Sequence, residues 1–233
     1  MSAEIGLGLL WYAVFVVSLT LHEAAHAFAG LRFGDATARD AGLVTLDPLA
    51  HIHRSPFGMV VVPIVSYLIG GWMIGWASTP YDEYWASRNR KQAALMALAG
   101  PAANLLLVLI AGVLIRGGML FGVFTEPEVA TAEQMTSAVS PGTATGAAVL
   151  VSVIMSLNLL LLVFNMLPLP SLDGSKVFLL FIKDNAAQRY REMMAQPAFQ
   201  IIGLVVAWNL LDFLLHPARA VVLNVLYPGA GYH

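Results

Sequence analysis

Three ionisable side chains lie within five positions of an otherwise apolar segment. His22 and His26 are four residues apart, and Glu23 follows the first histidine directly. Residues four apart share one face of an α-helix, so both imidazoles can reach one metal ion. The H-E-x-x-H spacing suits two histidine ligands of Zn²⁺, with the glutamate as general base for a water molecule. The pattern therefore predicts metal-assisted hydrolysis.

A catalytic zinc site needs a third protein ligand and keeps one position for water. Asp173 is the strongest candidate for that ligand. It follows an apolar segment in FNMLPLPSLDGSKV, where Pro168 and Pro170 break the backbone and Gly174 allows a tight turn. The other interpretation of an Asp-Gly pair is an ordinary surface turn. The choice depends on whether the fold can bring Asp173 to His22.

The composition is that of a membrane protein. Of 233 residues, 58% are hydrophobic and 11% charged, whereas soluble domains carry about 25% charged residues. The net charge of −2 gives no indication of nucleic-acid binding, and the absence of cysteine excludes disulfides, thiolate metal ligands and a cysteine nucleophile. No repeat or linker marks a second domain. We expect one membrane domain over residues 1–233.

Five apolar stretches have the roughly 20 residues that a spanning helix needs. They are Ile5–Leu31, Pro56–Trp76, Lys91–Ile115, Thr145–Leu167 and Pro197–Leu215. The second is interrupted by Gly70, Gly71 and Gly75. If it dips into the bilayer and returns, ten of the twelve Lys and Arg residues lie on one side, as the positive-inside tendency requires. We therefore predict an all-α integral membrane protein with four transmembrane helices and a re-entrant segment at Pro56–Trp76.

The same topology explains how the candidate ligands can meet. His22 lies towards the inner end of the first helix, and Asp173 lies just beyond the end of the fourth crossing stretch. The two come together only if these helices run in the same direction, which the re-entrant arrangement provides. The charge distribution then places the site towards the cytoplasmic side.

A short β-like stretch, GLVTL, stands at residues 42–46 between turn residues. It predicts a small hairpin or sheet near the active site. Leu43, Val44 and Thr45 would offer an edge on which an unwound substrate segment could pair and bind. The alternative is a plain surface hairpin.

Three segments resemble the site-2 protease family of intramembrane zinc metalloproteases, in particular its small prokaryotic members without an added regulatory domain. They are HEAAHAFAGLRFGDATARDAGLVTLDPLAHI, AGPAANLLL and FNMLPLPSLDG. The resemblance implies that His22, His26 and Asp173 bind one Zn²⁺ and that Glu23 is the catalytic glutamate. It also implies that Asn165 supports the substrate carbonyl or oxyanion. The expected location is a prokaryotic cell membrane.

The glycine–proline–asparagine motif of that family falls on Gly100, Pro101 and Asn104, which the resemblance implies pack helices near the site. We interpret Asn104 and Asn158 as helix-packing amides. The sequence departs from the family at HIHRSPFG, where an Asp-Pro pair is expected and His53 and Arg54 stand instead. That departure puts any shared role of this loop in doubt.

Two other functions compete with proteolysis: a metal transporter and a non-catalytic relative that binds membrane segments. A transporter often shows repeated halves, and no repeat is visible. A non-catalytic relative would have lost Glu23 or a ligand, and none is lost. The expected partners are transmembrane protein substrates and the lipid bilayer. A homo-oligomer and a regulatory membrane partner are both left open.

Overall fold

Four long helices carry most of the chain, of which the computed structural model describes residues 2–71 and 73–232. The long helices are α1 (Ser2–Arg32), α6 (Arg90–Leu120), α7 (Thr143–Asn165) and α10 (Pro197–Leu226). The shorter helices are α2 (Thr37–Asp40), α3 (Pro48–Arg54), α4 (Val62–Gly70), α5 (Glu83–Arg88), α8 (Asp173–Phe178) and α9 (Asp184–Met194).

Three of these helices are long and apolar enough to cross a membrane: α1, α6 and α7. Two bent pairs would raise the number to five if each were one span: α3 with residues 57–70, bent by 113°, and α9 with α10, bent by 84°. A helix of 31 residues such as α1 is about 46 Å long, more than the roughly 30 Å of a hydrocarbon core. The predicted all-α membrane protein is confirmed.

The centre of the molecule is the packing of α1 against α6 and α7. Phe15 of α1 is fully buried, and Leu157 of α7 is 1% exposed in the same apolar cluster. The outward faces are apolar as well, with Leu106 57% and Val113 71% exposed on α6. An apolar outer surface of this kind is expected where lipid replaces water as the solvent.

The predicted re-entrant segment folds back on itself. A π-helical turn, Phe57–Val61, leads into α4, which ends at Gly71 in a left-handed conformation with φ +74°. The chain then returns as a stretch without helix or strand, residues 73–81, here named the return limb. The Trp76 backbone N–H donates to the Gly58 carbonyl at 3.1 Å. The two limbs therefore lie side by side.

Both ends of this segment lie at the same end of α1. Asp35 follows α1 closely, and its Oδ2 accepts a hydrogen bond from the Asp82 N–H at 3.0 Å. At the other end of the segment, Ala50 of α3 packs against the cluster that contains Ala27, near the same end of α1. A segment that crossed the bilayer once would have left its ends about 30 Å apart. The contacts instead favour the re-entrant form.

The small antiparallel sheet forms elsewhere than predicted. It pairs β1 (Phe124–Thr125) with β2 (Ser137–Ala138) in the α6–α7 loop. The prediction of a strand at residues 42–46 is wrong, because Leu43 is buried against Ala27 and Ala38 and no partner strand lies beside it in the described chain. The sheet is about 30 Å along α6 from Gly100, so it is not near the candidate site.

Candidate active site

His22, His26 and Asp173 meet between α1 and α8. The Nε2 atoms of the two histidines are 3.0 Å apart. Each lies 3.2 Å from Oδ2 of Asp173. Both imidazoles are buried, with residue exposures of 3% and 6%. The structure thus joins two parts of the sequence that are about 150 residues apart, as the sequence predicted.

A tight chain reversal after α7 delivers Asp173 to this position. Ser171 takes a positive φ of 68°, and the Leu172 N–H donates to the Leu169 carbonyl at 3.2 Å. Gly174 packs so closely that a Cβ there would strike the backbone carbonyls of the preceding turn. A side chain at position 174 would push Asp173 away from the histidines. This close packing explains why the residue after Asp173 is glycine.

Hydrogen bonds from the far side of each ring fix the orientation of the imidazoles. His26 Nδ1 lies 2.8 Å from the Met96 carbonyl. Since a carbonyl can only accept, Nδ1 carries the proton. His22 Nδ1 lies 2.6 Å from the side-chain oxygen of Asn104, which gives the same tautomer. Both Nε2 lone pairs then point towards Asp173, as in metal sites whose outer partners set the tautomer.

Asn104 is itself held by a buried polar chain that crosses three helices. Its amide nitrogen donates to Asn158 at 2.8 Å. The amide nitrogen of Asn158 donates to the Ser18 hydroxyl at 2.9 Å. Both asparagines are fully buried. Asn104 therefore contacts His22 as well as packing helices. In the sequence, the feature that could have indicated a role for Asn104 is a polar amide inside an otherwise apolar helix.

Gly100 leaves the space that the two imidazoles need. A Cβ at this position would lie closer to both Nε2 atoms than van der Waals contact allows. Pro101 follows it inside α6 and is buried. The glycine–proline–asparagine motif thus lets the imidazoles pack directly against the Gly100 backbone. It also places the Asn104 side-chain oxygen beside His22.

Glu23 lies beside the cluster and is 5% exposed. Its carboxylate is held from the return limb, where the Thr79 hydroxyl lies 2.8 Å from Glu23 Oε2. The same hydroxyl lies 3.0 Å from the Glu23 backbone carbonyl. Sequence reasoning missed Thr79, because nothing local marks a threonine 56 positions away as a partner of the H-E-x-x-H helix.

A cavity of about 630 Å³ opens onto these residues. Asn165 lines it at the end of α7, as does the return limb through Ala77 and Thr79. The Asn165 amide nitrogen donates to the Leu161 carbonyl at 3.0 Å. An amide nitrogen carries two hydrogens, so it can make a second hydrogen bond towards the cavity.

Residues 43–45 are not among those that line the cavity. Leu43 is buried in a small apolar cluster with Ala27 and Ala38. The Thr45 carbonyl accepts a hydrogen bond from His51 Nε2 at 3.0 Å, so the side chain of His51 in α3 holds the preceding loop. The substrate-binding role of Leu43, Val44 and Thr45 stays a prediction.

The His22, His26 and Asp173 donor set fits a zinc ion. Tetrahedral zinc with bonds of about 2.0–2.1 Å separates its ligand atoms by about 3.3 Å, close to the 3.0 and 3.2 Å in the structure. Burial raises the pKa of Asp173, but without a metal ion a proton on either imidazole would make that ring cationic, and this charge holds the pKa of the carboxylate well below its ordinary value. The carboxylate is therefore ionised at neutral pH, as a metal ligand must be.

Comparisons with known proteins agree with this geometry. The model of peptidase family M50 matches residues 11–210. The chain is 34% identical over 193 residues to YwhC of Bacillus subtilis, named as a candidate zinc metalloprotease, and the match covers 82% of this chain and 76% of that protein.

Two mycobacterial relatives, each named as the candidate zinc metalloprotease Rip2, are more distant. The one from Mycolicibacterium smegmatis is 32% identical over 73% of this chain and 56% of its own length. The one from Mycobacterium tuberculosis is 30% identical over 74% of this chain and 57% of its own length. No solved structure matches. With a buried His-His-Asp cluster and a family match over residues 11–210, this chain belongs to peptidase family M50, the family of the site-2 proteases.

Proposed function

We propose that this protein is an intramembrane zinc metalloprotease that hydrolyses peptide bonds within or near transmembrane segments of other membrane proteins. The observation that carries the proposal is the convergence of His22, His26 and Asp173 within 3.2 Å, directly beside Glu23. In this proposal the three residues hold one Zn²⁺ and Glu23 is the general base.

When bound, zinc would lower the pKa of a coordinated water to about 7 and so supply a nucleophile at neutral pH. Glu23 would accept a proton from that water and deliver it to the leaving amine. The second amide hydrogen of Asn165 would support the oxygen of the substrate carbonyl as it gains charge. A retained Glu23 in a buried position favours catalysis over a role limited to binding.

The substrate must lose its helical hydrogen bonds before its carbonyls can be reached, and the return limb offers it a new partner. Residues 77–79 belong to no helix or sheet and line the same cavity as Glu23. Within the described chain, none of their backbone amides donates to a backbone carbonyl. An unwound peptide could pair with this edge as an added strand. Residues 43–45, which the sequence suggested for this role, are further from the chemistry.

The experiment is co-expression with a panel of single-span membrane proteins, comparing wild type with Glu23→Gln. We expect wild type alone to produce fragments from at least one substrate, because Gln cannot accept the proton of the water. Equal fragment patterns from both would overturn the proposal. Purified Glu23→Gln should still contain zinc, which separates loss of chemistry from loss of the site.

We further propose that the site faces the cytoplasm of a prokaryotic cell. The chain lacks cysteine, so Ser55→Cys and Ser87→Cys give single reporters at the two ends of the re-entrant segment. Both should react with an impermeant thiol reagent only after lysis. Labelling of one from outside and of the other only after lysis would contradict the re-entrant topology.

A further inference from the structure

The return limb carries one side chain that touches the proposed general base. We propose that Thr79 is a positioning residue for Glu23, and this inference rests on the proposed function of Glu23. The Thr79 hydroxyl lies 2.8 Å from Glu23 Oε2 and 3.0 Å from the Glu23 backbone carbonyl. It thus contacts both ends of the same residue.

A glutamate in this position needs such a partner. Successive residues on a helix point about 100° apart, so Glu23 does not share the face on which His22 and His26 converge. Its carboxylate must bend back towards them through three rotatable bonds. A donor on Oε2 holds one carboxylate oxygen and leaves Oε1 for the water that is to be deprotonated. The side chain then keeps one geometry between turnovers.

The position of the hydroxyl is fixed on both sides of Thr79. Three residues earlier, the Trp76 N–H is bonded to the Gly58 carbonyl at 3.1 Å. Three residues later, the Asp82 N–H is bonded to Asp35 Oδ2 at 3.0 Å. The return limb therefore stretches between two anchors, and Thr79 lies midway between them.

This arrangement couples substrate binding to the chemistry. The residues proposed to pair with the substrate and the residue that holds the proposed general base both belong to the return limb. A peptide that pairs with residues 77–79 is brought into register with the Glu23 carboxylate. The re-entrant segment then contributes to catalysis through Thr79 as well as shielding the site.

The kinetic test compares Thr79→Val, which has nearly the same shape but no donor, with Thr79→Ser, which keeps the donor. Thr131→Val in the α6–α7 loop is the matched control, since Thr131 is exposed and far from the site. We expect Thr79→Val to lower kcat by about 10- to 100-fold with KM changed less than about twofold, as for a misplaced catalytic group. Thr79→Ser should restore most of the activity, and zinc content should stay at the wild-type level in all variants.

Wild-type kcat in Thr79→Val, or an equal loss in Thr79→Ser, would overturn the proposal. A second measurement does not need activity: the change in Tm caused by Thr79→Val, in wild type and in Glu23→Ala. We expect a smaller change in Glu23→Ala, because the carboxylate partner is already gone; equal changes would also overturn the proposal. If wild type cleaves nothing, the proposed function fails, and this comparison still decides whether Thr79 holds Glu23.

Discussion

The two histidines and the glutamate of the same helical turn are held by different kinds of structure. Partners on α6 hold His22 and His26: the Asn104 amide and the Met96 carbonyl. Glu23 is held from the return limb, which belongs to no helix or sheet. The proposed metal ligands thus depend on packed helices, while the proposed general base depends on an irregular segment.

This difference has a physical reason. A metal site needs fixed ligand distances, and buried amides in tightly packed helices provide fixed acceptors. A site for peptide hydrolysis must also admit a substrate strand, and regular helices have no free backbone groups to offer it. In the proposed function, the irregular return limb would supply those groups next to Glu23. Perturbing one region should therefore leave the other largely intact.

The largest expected effect comes from removing Asp173, the proposed zinc ligand that lies outside α1. Asp173→Ala should abolish both cleavage and tight zinc binding, since two imidazoles leave a catalytic site one protein ligand short. Zinc content of the purified protein is the measurement. Glu128→Ala, in the exposed α6–α7 loop, is the control and should retain about one zinc per chain. Equal zinc content in the two variants would remove Asp173 from the site.

Asn165→Ala should have the next largest effect. Loss of a donor to the developing oxyanion should slow turnover by roughly ten- to a thousandfold, while zinc content stays unchanged. Steady-state cleavage of a substrate found by co-expression measures this. Turnover at the wild-type rate would instead assign Asn165 to capping the end of α7, where it already donates to Leu161.

A smaller effect is expected from the helical region that holds His22. Asn104→Leu removes the acceptor of His22 Nδ1 and should weaken zinc affinity by about 10- to 100-fold, the usual cost of losing an outer partner of a ligand. Competition with a chelator gives the affinity. Asn209→Leu is a suitable control because that amide is exposed and, among the described residues, donates only to Val205 within α10. An unchanged affinity would return Asn104 to a packing role.

The smallest expected effect belongs to the bend of the re-entrant segment. Gly71 has φ +74°, and the space that a methyl group would take there is open. Gly71→Ala therefore adds backbone strain alone, about 1–2 kcal/mol. Thermal unfolding should show a Tm lower by a few degrees, with zinc affinity unchanged. Gly117→Ala, also in open space but within α6, should not lower Tm, because alanine favours a helix. A loss of zinc in Gly71→Ala would show that the two regions are coupled.

Several features followed from local patterns in the sequence. The spacing of His22 and His26 requires only a helix to bring both imidazoles to one face. The apolar lengths predicted the long helices, and the glycines together with the charge distribution predicted that the second apolar stretch turns back. Asp173 was found because a ligand was missing and the helix directions allowed it to meet His22.

Other features depended on contacts between distant parts of the chain. The GLVTL stretch has a strand-like composition, yet Leu43 is buried against Ala27 and Ala38 instead of entering a sheet. Strand formation depends on a partner as much as on propensity, and a single stretch does not reveal its partner.

The sequence alone determined the H-E-x-x-H helix, the membrane class and the candidate ligands, because these rest on spacing, composition and, for Asp173, the helix directions that the charge distribution implies. Only the tertiary structure decided what holds these side chains. Asn104 lies 82 positions from His22, and Thr79 lies 56 positions from Glu23. Hydrogen bonds of about 3 Å between such residues form only after the helices have packed, and no local pattern records them.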